Sequence, residues 1–182
     1  MTVLVTGGAG YIGSHMVWHL TDAGEDVVVL DNLTTGFDWA IPAETEIVQG
    51  DCGDEALLAR IIGEKSIDAI IHFAGSIVVP ESVADPLGYY LNNTVRSRSL
   101  IEAAVKGGVP HFIFSSTAAV YGTPKTFPVT EDMPLNPESP YGRSKMMTEL
   151  MLSDTAFAHD LTFAALRYFN VAGADPKGRT GQ

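Results

Sequence analysis

Tyr141 and Lys145 stand four residues apart in Tyr141-Gly142-Arg143-Ser144-Lys145. On a helix that spacing puts both side chains on one face, about one turn (roughly 6 Å) apart. A phenol has an ordinary pKa of about 10, too high for a base at neutral pH. A neighbouring ammonium favours phenolate, and a drop of about three units takes about 4 kcal/mol of differential interaction. Ser115-Ser116-Thr117 follows an apolar run. Its hydroxyls either bond a tyrosine and a substrate hydroxyl or serve only their own backbone.

A second set of residues suits an anion. Thr6-Gly7-Gly8-Ala9-Gly10-Tyr11-Ile12-Gly13 follows the apolar run Val3–Thr6 and opens an amphipathic stretch. Glycines there permit a sharp turn and close approach of a pyrophosphate, and a helix start offers free N–H groups and a positive dipole end. Asp31 lies at the end of the second apolar run, eighteen residues after Gly13. A carboxylate there accepts from ribose hydroxyls and repels a 2′-phosphate, so the pattern predicts NAD rather than NADP. Asp51-Cys52 follows the third run, either as a turn acid with a small buried thiol or as part of an adenine site. Phe73-Ala74-Gly75 ends the fourth run with small residues, which suits a close cofactor contact or a simple turn.

The elements that must hold these residues are legible in outline. The runs Val3–Thr6, Val27–Leu30, Glu46–Val48, Ala69–Phe73, Phe112–Ser115 and Thr162–Leu166 mostly lack polar alternation and read as strands buried on both faces. Tyr11–Ala23, Glu55–Gly63, Pro86–Lys106 and Pro140–His159 read as helices. Asp85-Pro86 and Ser139-Pro140 carry N-cap and first-turn signals, while Gly24 and Gly107-Gly108 mark helix ends. The alternation predicts an α/β fold: a doubly wound parallel sheet of Rossmann type. Long connections at Asp31–Thr45, Gly75–Ala84 and Ser116–Ser139 all follow strand carboxyl ends, the edge where such sheets bind ligands.

The 182-residue chain is 46% hydrophobic with a formal net charge of −11. That composition suits a packed domain, and the acidic balance argues against a nucleic-acid or anionic-membrane partner. One cysteine excludes an intramolecular disulfide, and no basic leader opens the chain, so a cytoplasmic protein is expected. His15 and His19 share a helical spacing without an acidic third ligand, and no metal site is expected.

Thr6–His15, Asp31-Asn32, Gly50-Asp51, His72–Gly75, Glu81-Ser82-Val83, Tyr89–Asn93, Phe112–Gly122, Ser139–Lys145 and Leu166–Gly173 resemble the extended short-chain dehydrogenase/reductase family. Within it, they resemble the N-terminal portion of the UDP-glucose 4-epimerases. The resemblance implies epimerisation of a UDP-hexose at C4 through a transient 4-keto sugar, with NAD retained. Tyr141 would take the 4-hydroxyl proton, Lys145 would hold the nicotinamide ribose, and Thr117 would assist. It further implies a cofactor lining of Gly7, Gly10, Tyr11, Ile12, Gly13, Asp31, Asn32, Leu33, Thr34, Thr35, Gly36, Asp51, Cys52, Phe73, Ala74, Gly75, Asn92, Ser115, Tyr141, Lys145 and Phe169. Thr117, Tyr141 and Asn170 would meet the UDP-sugar, and a homodimer would form through Pro86–Lys106 and Pro140–His159.

The chain departs from the family pattern at Ile77, where many members carry a cofactor-contacting lysine. Ala118 and Ala119 follow Thr117 where related 4,6-dehydratases and decarboxylases place an acid, which disfavours those reactions. A truncated NAD-binding module without turnover is the other reading. On either reading, residues 1–174 are expected to form the NAD-binding domain and 175–182 to begin a linker to a C-terminal substrate lobe.

Overall fold

Leu4, Val3 and Val5 show how one apolar run serves two cores. They sit on the first strand, β1 (Thr2–Thr6), and successive side chains on a strand point to opposite faces. Leu4 packs with Val28, Leu30, Ile70, Phe112 and Phe114 on one side. Val3 and Val5 pack with Val29 and Ile71 on the other. The computed structural model, which describes residues 1–181, therefore has a sheet covered on both faces.

The remaining elements are α1 (Tyr11–Asp22), β2 (Asp26–Asp31), β3 (Glu46–Gln49), α2 (Glu55–Lys65), β4 (Ala69–His72), α3 (Val79–Ala84), α4 (Pro86–Tyr90), α5 (Arg96–Lys106), β5 (His111–Ser115), α6 (Pro140–Ala158) and β6 (Thr162–Leu166). All strand pairs are parallel, in the order β3-β2-β1-β4-β5-β6. This is the Rossmann arrangement, with the order reversing between β1 and β4. Val17 of α1 fills one core, while Leu58 of α2, Leu100 of α5 and Leu152 of α6 fill the other. Truncating such a fully buried leucine to alanine costs about 2–5 kcal/mol.

The capping signals act as their chemistry predicts. Asp85 accepts from the Gly88 amide at 3.0 Å and Ser139 from the Gly142 amide at 3.1 Å, each starting a helix with Pro at its first position. Gly24 (φ 80°) and Gly108 (φ 70°) turn the chain out of α1 and α5.

Three expectations change. The sheet edges fall at β3 and β6, so these strands are not buried on both faces; Thr162, Phe163 and Ala164 are exposed. Pro86–Lys106 is not one regular helix, because a wider π-turn, Leu91–Val95, separates α4 from α5. The connection Gly75–Ala84 contains α3, started by Pro80 in its first turn. Among the described residues, no helix is long and apolar enough to cross a membrane.

Candidate functional site

The first wall of the site is main chain. Gly7 (φ 70°) turns out of β1 directly beneath the loop after β4: a Cβ on it would stand 2.5 Å from the Ala74 amide nitrogen. Gly13 lets α1 pack down on the same turn, since a Cβ there would stand 2.1 Å from the Gly7 carbonyl oxygen. Gly10 caps α1 with no side-chain acceptor, and no acid lies in the first turn. The positive end of the helix is therefore neutralised by nothing on its own element.

Asp31 ends β2 facing this turn. Its Oδ2 accepts from the Ala9 amide at 3.0 Å and its Oδ1 from the Leu33 amide at 2.8 Å. Each carboxylate oxygen keeps a second lone pair for a ribose hydroxyl. Asn32 Oδ1 accepts from the amide and hydroxyl of Thr34. Gly36 lies flush on Ala9, and the Phe37 amide donates to the Ala9 carbonyl at 2.9 Å. Asn32, Leu33, Thr34, Thr35 and Gly36 thus form a rim beside the glycine turn. The Tyr11 hydroxyl donates to the Gly173 carbonyl at 2.9 Å.

Asp51 and Asn92 come from different elements yet share one guanidinium. Arg96 pairs with Asp51 at 2.7 Å and donates to Asn92 Oδ1 at 2.5 Å. Nothing in the spacing of these residues singles out Arg96. The buried thiol of Cys52 is pushed up to about 11, chiefly by desolvation, and stays protonated.

The second wall is made of side chains. The amides of Phe73 and Ala74 both donate to the Thr6 carbonyl, at 2.9 and 3.1 Å, which fixes the loop after β4. A Cβ on Gly75 would lie 3.4 Å from Lys145 Nζ. Lys145 is buried, donates to the Ser115 carbonyl at 3.0 Å, and lies 5.0 Å from the centre of the Phe114 ring. Burial lowers it to about 8. Thr117 accepts from the Ala119 amide at 3.1 Å.

Within the protein itself the Tyr141 phenol is raised: burial disfavours phenolate, and Thr117 opposes that only in part. The Lys145 ammonium is turned to the Ser115 carbonyl. Ser115 itself is engaged by the hydroxyl of Tyr168. Phe169 and Asn170 are exposed beyond β6. Phe169 borders an open cavity of about 420 Å³ with Tyr121, Glu131 and Arg167. Neither Tyr141 nor Lys145 lines it.

Residues beyond those anticipated hold this wall. Asn93, in the π-turn, accepts from the Ser76 amide at 2.7 Å and donates to the Ser76 carbonyl and Ser144 hydroxyl at 2.9 and 3.1 Å. It ties the Gly75–Ser76 loop to α6, and such wide turns often mark functional sites. His72 is fully enclosed between the hydroxyls of Thr6 (2.6 Å) and Ser97 (2.8 Å), and burial lowers it to about 3. Buried Glu149 forms an ion pair with part-buried Arg167 at 2.6 Å. The asparagine pair Asn92-Asn93 was a usable signal; the others have long-range partners that no local spacing encodes.

Residues 3–182 match the NAD dependent epimerase/dehydratase family. A UDP-glucose 4-epimerase of Azospirillum brasilense is 57% identical over 180 residues, covering 99% of this chain and 52% of its own length. One from Lacticaseibacillus casei is 50% identical over 182 residues, covering 100% and 55%. Among solved structures, UDP-glucose 4-epimerase from Brucella ovis in complex with NAD superposes with a TM-score of 0.96 at 45% identity, covering 100% of this chain and 55% of that one. The Bifidobacterium longum enzyme in complex with NAD+ and UDP gives 0.95 at 41%, covering 100% and 57%. The chain spans about half the length of the curated relatives it matches.

Proposed function

The chain belongs to the NAD dependent epimerase/dehydratase family, and from that premise we propose that it binds NAD and carries the proton-handling residues of a UDP-glucose/UDP-galactose 4-epimerase. The observation that supports this most is the Ala74–Gly75 loop. It lies within contact of Gly7 on one side and of Lys145 on the other. The glycine turn and the tyrosine–lysine helix therefore border one crevice at the carboxyl edge of the sheet, where the strand order reverses.

The residues fit the cofactor. The uncapped start of α1, at Gly10, Tyr11, Ile12 and Gly13, would meet the pyrophosphate. Asp31 would take the adenosine ribose, with Asn32–Gly36 as rim. Asp51, Cys52 and Asn92 would border the adenine end. Phe73, Ala74, Gly75, Ser115 and Phe169 would border the nicotinamide end. NAD, when bound, supplies a reversible hydride acceptor. Tyr141 would remove and return the sugar 4-hydroxyl proton, with Thr117 assisting. Because burial disfavours phenolate, a cation must offset it, and Lys145, still mostly protonated at pH 7, is the cation on the same helix. Asn170 would contact the nucleotide-sugar. Ala118 and Ala119 cannot exchange a proton, which disfavours a dehydration.

We read residues 1–174 as the dinucleotide-binding unit and 175–182 as the lead into a substrate-covering part. Described residues 174–181 fold against α1: Arg179 pairs with Asp22 and Asp175, and the hydroxyls of Thr180 and Ser14 meet at 2.7 Å. Leu87, Leu91 and Val95 are exposed at four-residue spacing, with Leu150 exposed on α6, which supports pairing of two copies through these helices. A reducing, cytoplasmic setting in galactose metabolism suits the single cysteine.

Calorimetry with NAD and an assay of UDP-galactose conversion to UDP-glucose test the reading. NAD binding is expected. Turnover by these 182 residues alone is expected to be slight, because Phe169, Asn170 and the cavity beside β6 are open to solvent. Absence of NAD binding overturns the reading.

A further inference from the structure

Arg96 is the first residue of α5. One arm of its guanidinium, Nη2, meets Asp51 Oδ2 at 2.7 Å, and the other, Nη1, donates to Asn92 Oδ1 at 2.5 Å. Asp51 Oδ1 accepts from the Gly53 amide at 2.8 Å, so both carboxylate oxygens are held. Asn92, with its Oδ1 committed to Arg96, donates through Nδ2 to the Ser76 hydroxyl at 2.8 Å. The stem of Arg96 lies flush on the turn after β3: a Cβ on Gly53 would stand 2.7 Å from Arg96 Cγ. One side chain thereby joins the turn after β3, the π-turn Leu91–Val95 and, through Asn92, the loop after β4.

Asp51 stands next to the end of β2. The strands β2 and β3 run paired up to Asp31 and Gln49, and the Gly50 amide donates to the Asp31 carbonyl at 3.0 Å. With a ribose at Asp31, the attached base extends away from the pyrophosphate toward β3 and the Asp51 carboxylate. Among the described residues, Arg96 is the one cation paired with Asp51. An ion pair as open to solvent as this one adds little to stability. Its consequence is geometric, because a planar guanidinium fork fixes two partners at once and a point charge does not.

We propose that Arg96 is a positioning residue that sets the choice of base: by gripping Asp51 and Asn92 together, it holds the Asp51 carboxylate where it accepts the exocyclic amine of adenine. The inference rests on the reading of this crevice as a dinucleotide site with its adenine end at Asp51. Each Asp51 oxygen keeps a second lone pair for that amine. Hypoxanthine differs from adenine along this edge alone, with a carbonyl in place of the amine and a proton on the adjacent ring nitrogen. A fixed carboxylate faces the carbonyl oxygen and is repelled. A carboxylate free to turn reaches the neighbouring N–H and binds it. Discrimination therefore comes from the grip of Arg96, and releasing Asp51 removes it.

The test is calorimetry of the 182-residue chain with NAD and with nicotinamide hypoxanthine dinucleotide. The parent is expected to prefer NAD by at least about tenfold. Arg96→Ala puts a good helix former at the start of α5 and removes a part-exposed side chain, so folding is retained. It is expected to lower NAD affinity about five- to tenfold and to bring the preference down to about twofold. Arg96→Lys keeps the charge without the two-armed grip, and is expected to lose most of the preference as well. If Arg96→Ala leaves the preference unchanged, the proposal fails. Two affinities falling together would make Arg96 a mere charge or structural prop, and two affinities unmoved would make it a bystander. A parent that binds both dinucleotides equally, or full preference in Arg96→Lys, also overturns it. Failure of the dinucleotide reading would instead show as a parent that binds neither.

Discussion

On the β1–β2–β3 side of the crevice the wall is made of backbone; on the β4–β5–β6 side it is made of buried polar side chains. The first side depends on the absence of Cβ atoms at Gly7 and Gly13 and on Asp31 gripping two amides. The second depends on Asn93, Lys145, Glu149 and His72, each enclosed and each engaged by distant partners. Backbone amides present fixed dipoles and do not titrate, which suits the holding of an anion. Titratable side chains can move protons, but their burial costs free energy and makes the region responsive to pH.

The comparison breaks most sharply at Tyr141. Tyr141→Phe should lower epimerase turnover of the full-length protein about 10²–10⁴-fold while leaving NAD affinity within about twofold, because the phenol serves chemistry and not the backbone wall. Assayed side by side, turnover and calorimetry would separate the two walls. A parallel loss of affinity would merge them.

Next in size is a pair of glycine variants. Gly13→Ala puts its methyl 2.1 Å from the Gly7 carbonyl, so the turn must open. A loss of about 2–4 kcal/mol in denaturant unfolding and at least about 100-fold in NAD affinity is expected. Gly10→Ala meets only the Gly7 carbonyl oxygen, at 3.3 Å, and Gly10 has an ordinary φ of −76°. It should fold normally and lose affinity alone. Equal stability of the two variants would show that the backbone wall is less tightly set than the contacts indicate.

Lys145 sharpens the contrast through pH. Its folded value, about 8, lies below the ordinary 10.5, so between these values the unfolded chain binds more protons. Stability should therefore rise with pH from about 8 to 10.5, and below 8 the buried ammonium costs the fold up to about 3 kcal/mol. Lys145→Met should remove that slope and stabilise the protein at pH 7 by about 1–3 kcal/mol, the remainder being lost with the Ser115 bond. Urea unfolding at pH 7 and pH 10 measures both effects. An unchanged slope would mean that Lys145 is not the source.

Asp31→Asn carries the smallest effect. The amide side chain can still accept through one oxygen, so the Ala9–Leu33 clamp survives in part. NAD affinity should fall about tenfold, as one charge-assisted bond is weakened. NADP affinity should fall less, narrowing the preference.

The same division explains what was legible in the sequence. The caps at Asp85 and Ser139 are local, each binding an amide three residues on, while the glycine turn and Asp31, whose partner Ala9 lies 22 residues back, belong to a fingerprint whose fixed spacing encodes them. The second wall is not local. Glu149 meets Arg167 eighteen residues on and Ser116 thirty-three residues back, and Lys145 meets Ser115 thirty residues back. Asn92 was singled out while its neighbour Asn93 became the buried tie, since only the wide turn Leu91–Val95 decides which of the two faces inward. The edge exposure of β3 and β6 is a property of strand order, which apolar runs do not carry. The raised phenol of Tyr141 follows from burial in the assembled fold, and the Tyr-x-x-x-Lys spacing could not reveal it.

The most direct measurement is backbone amide NMR of the chain during titration with NAD. The predicted result is saturable binding with the largest shifts at Gly10, Tyr11, Ile12 and Gly13, joined by Asp31 and Leu33. Saturable binding that leaves those amides unmoved, or no binding at all, would contradict a dinucleotide site at the start of α1.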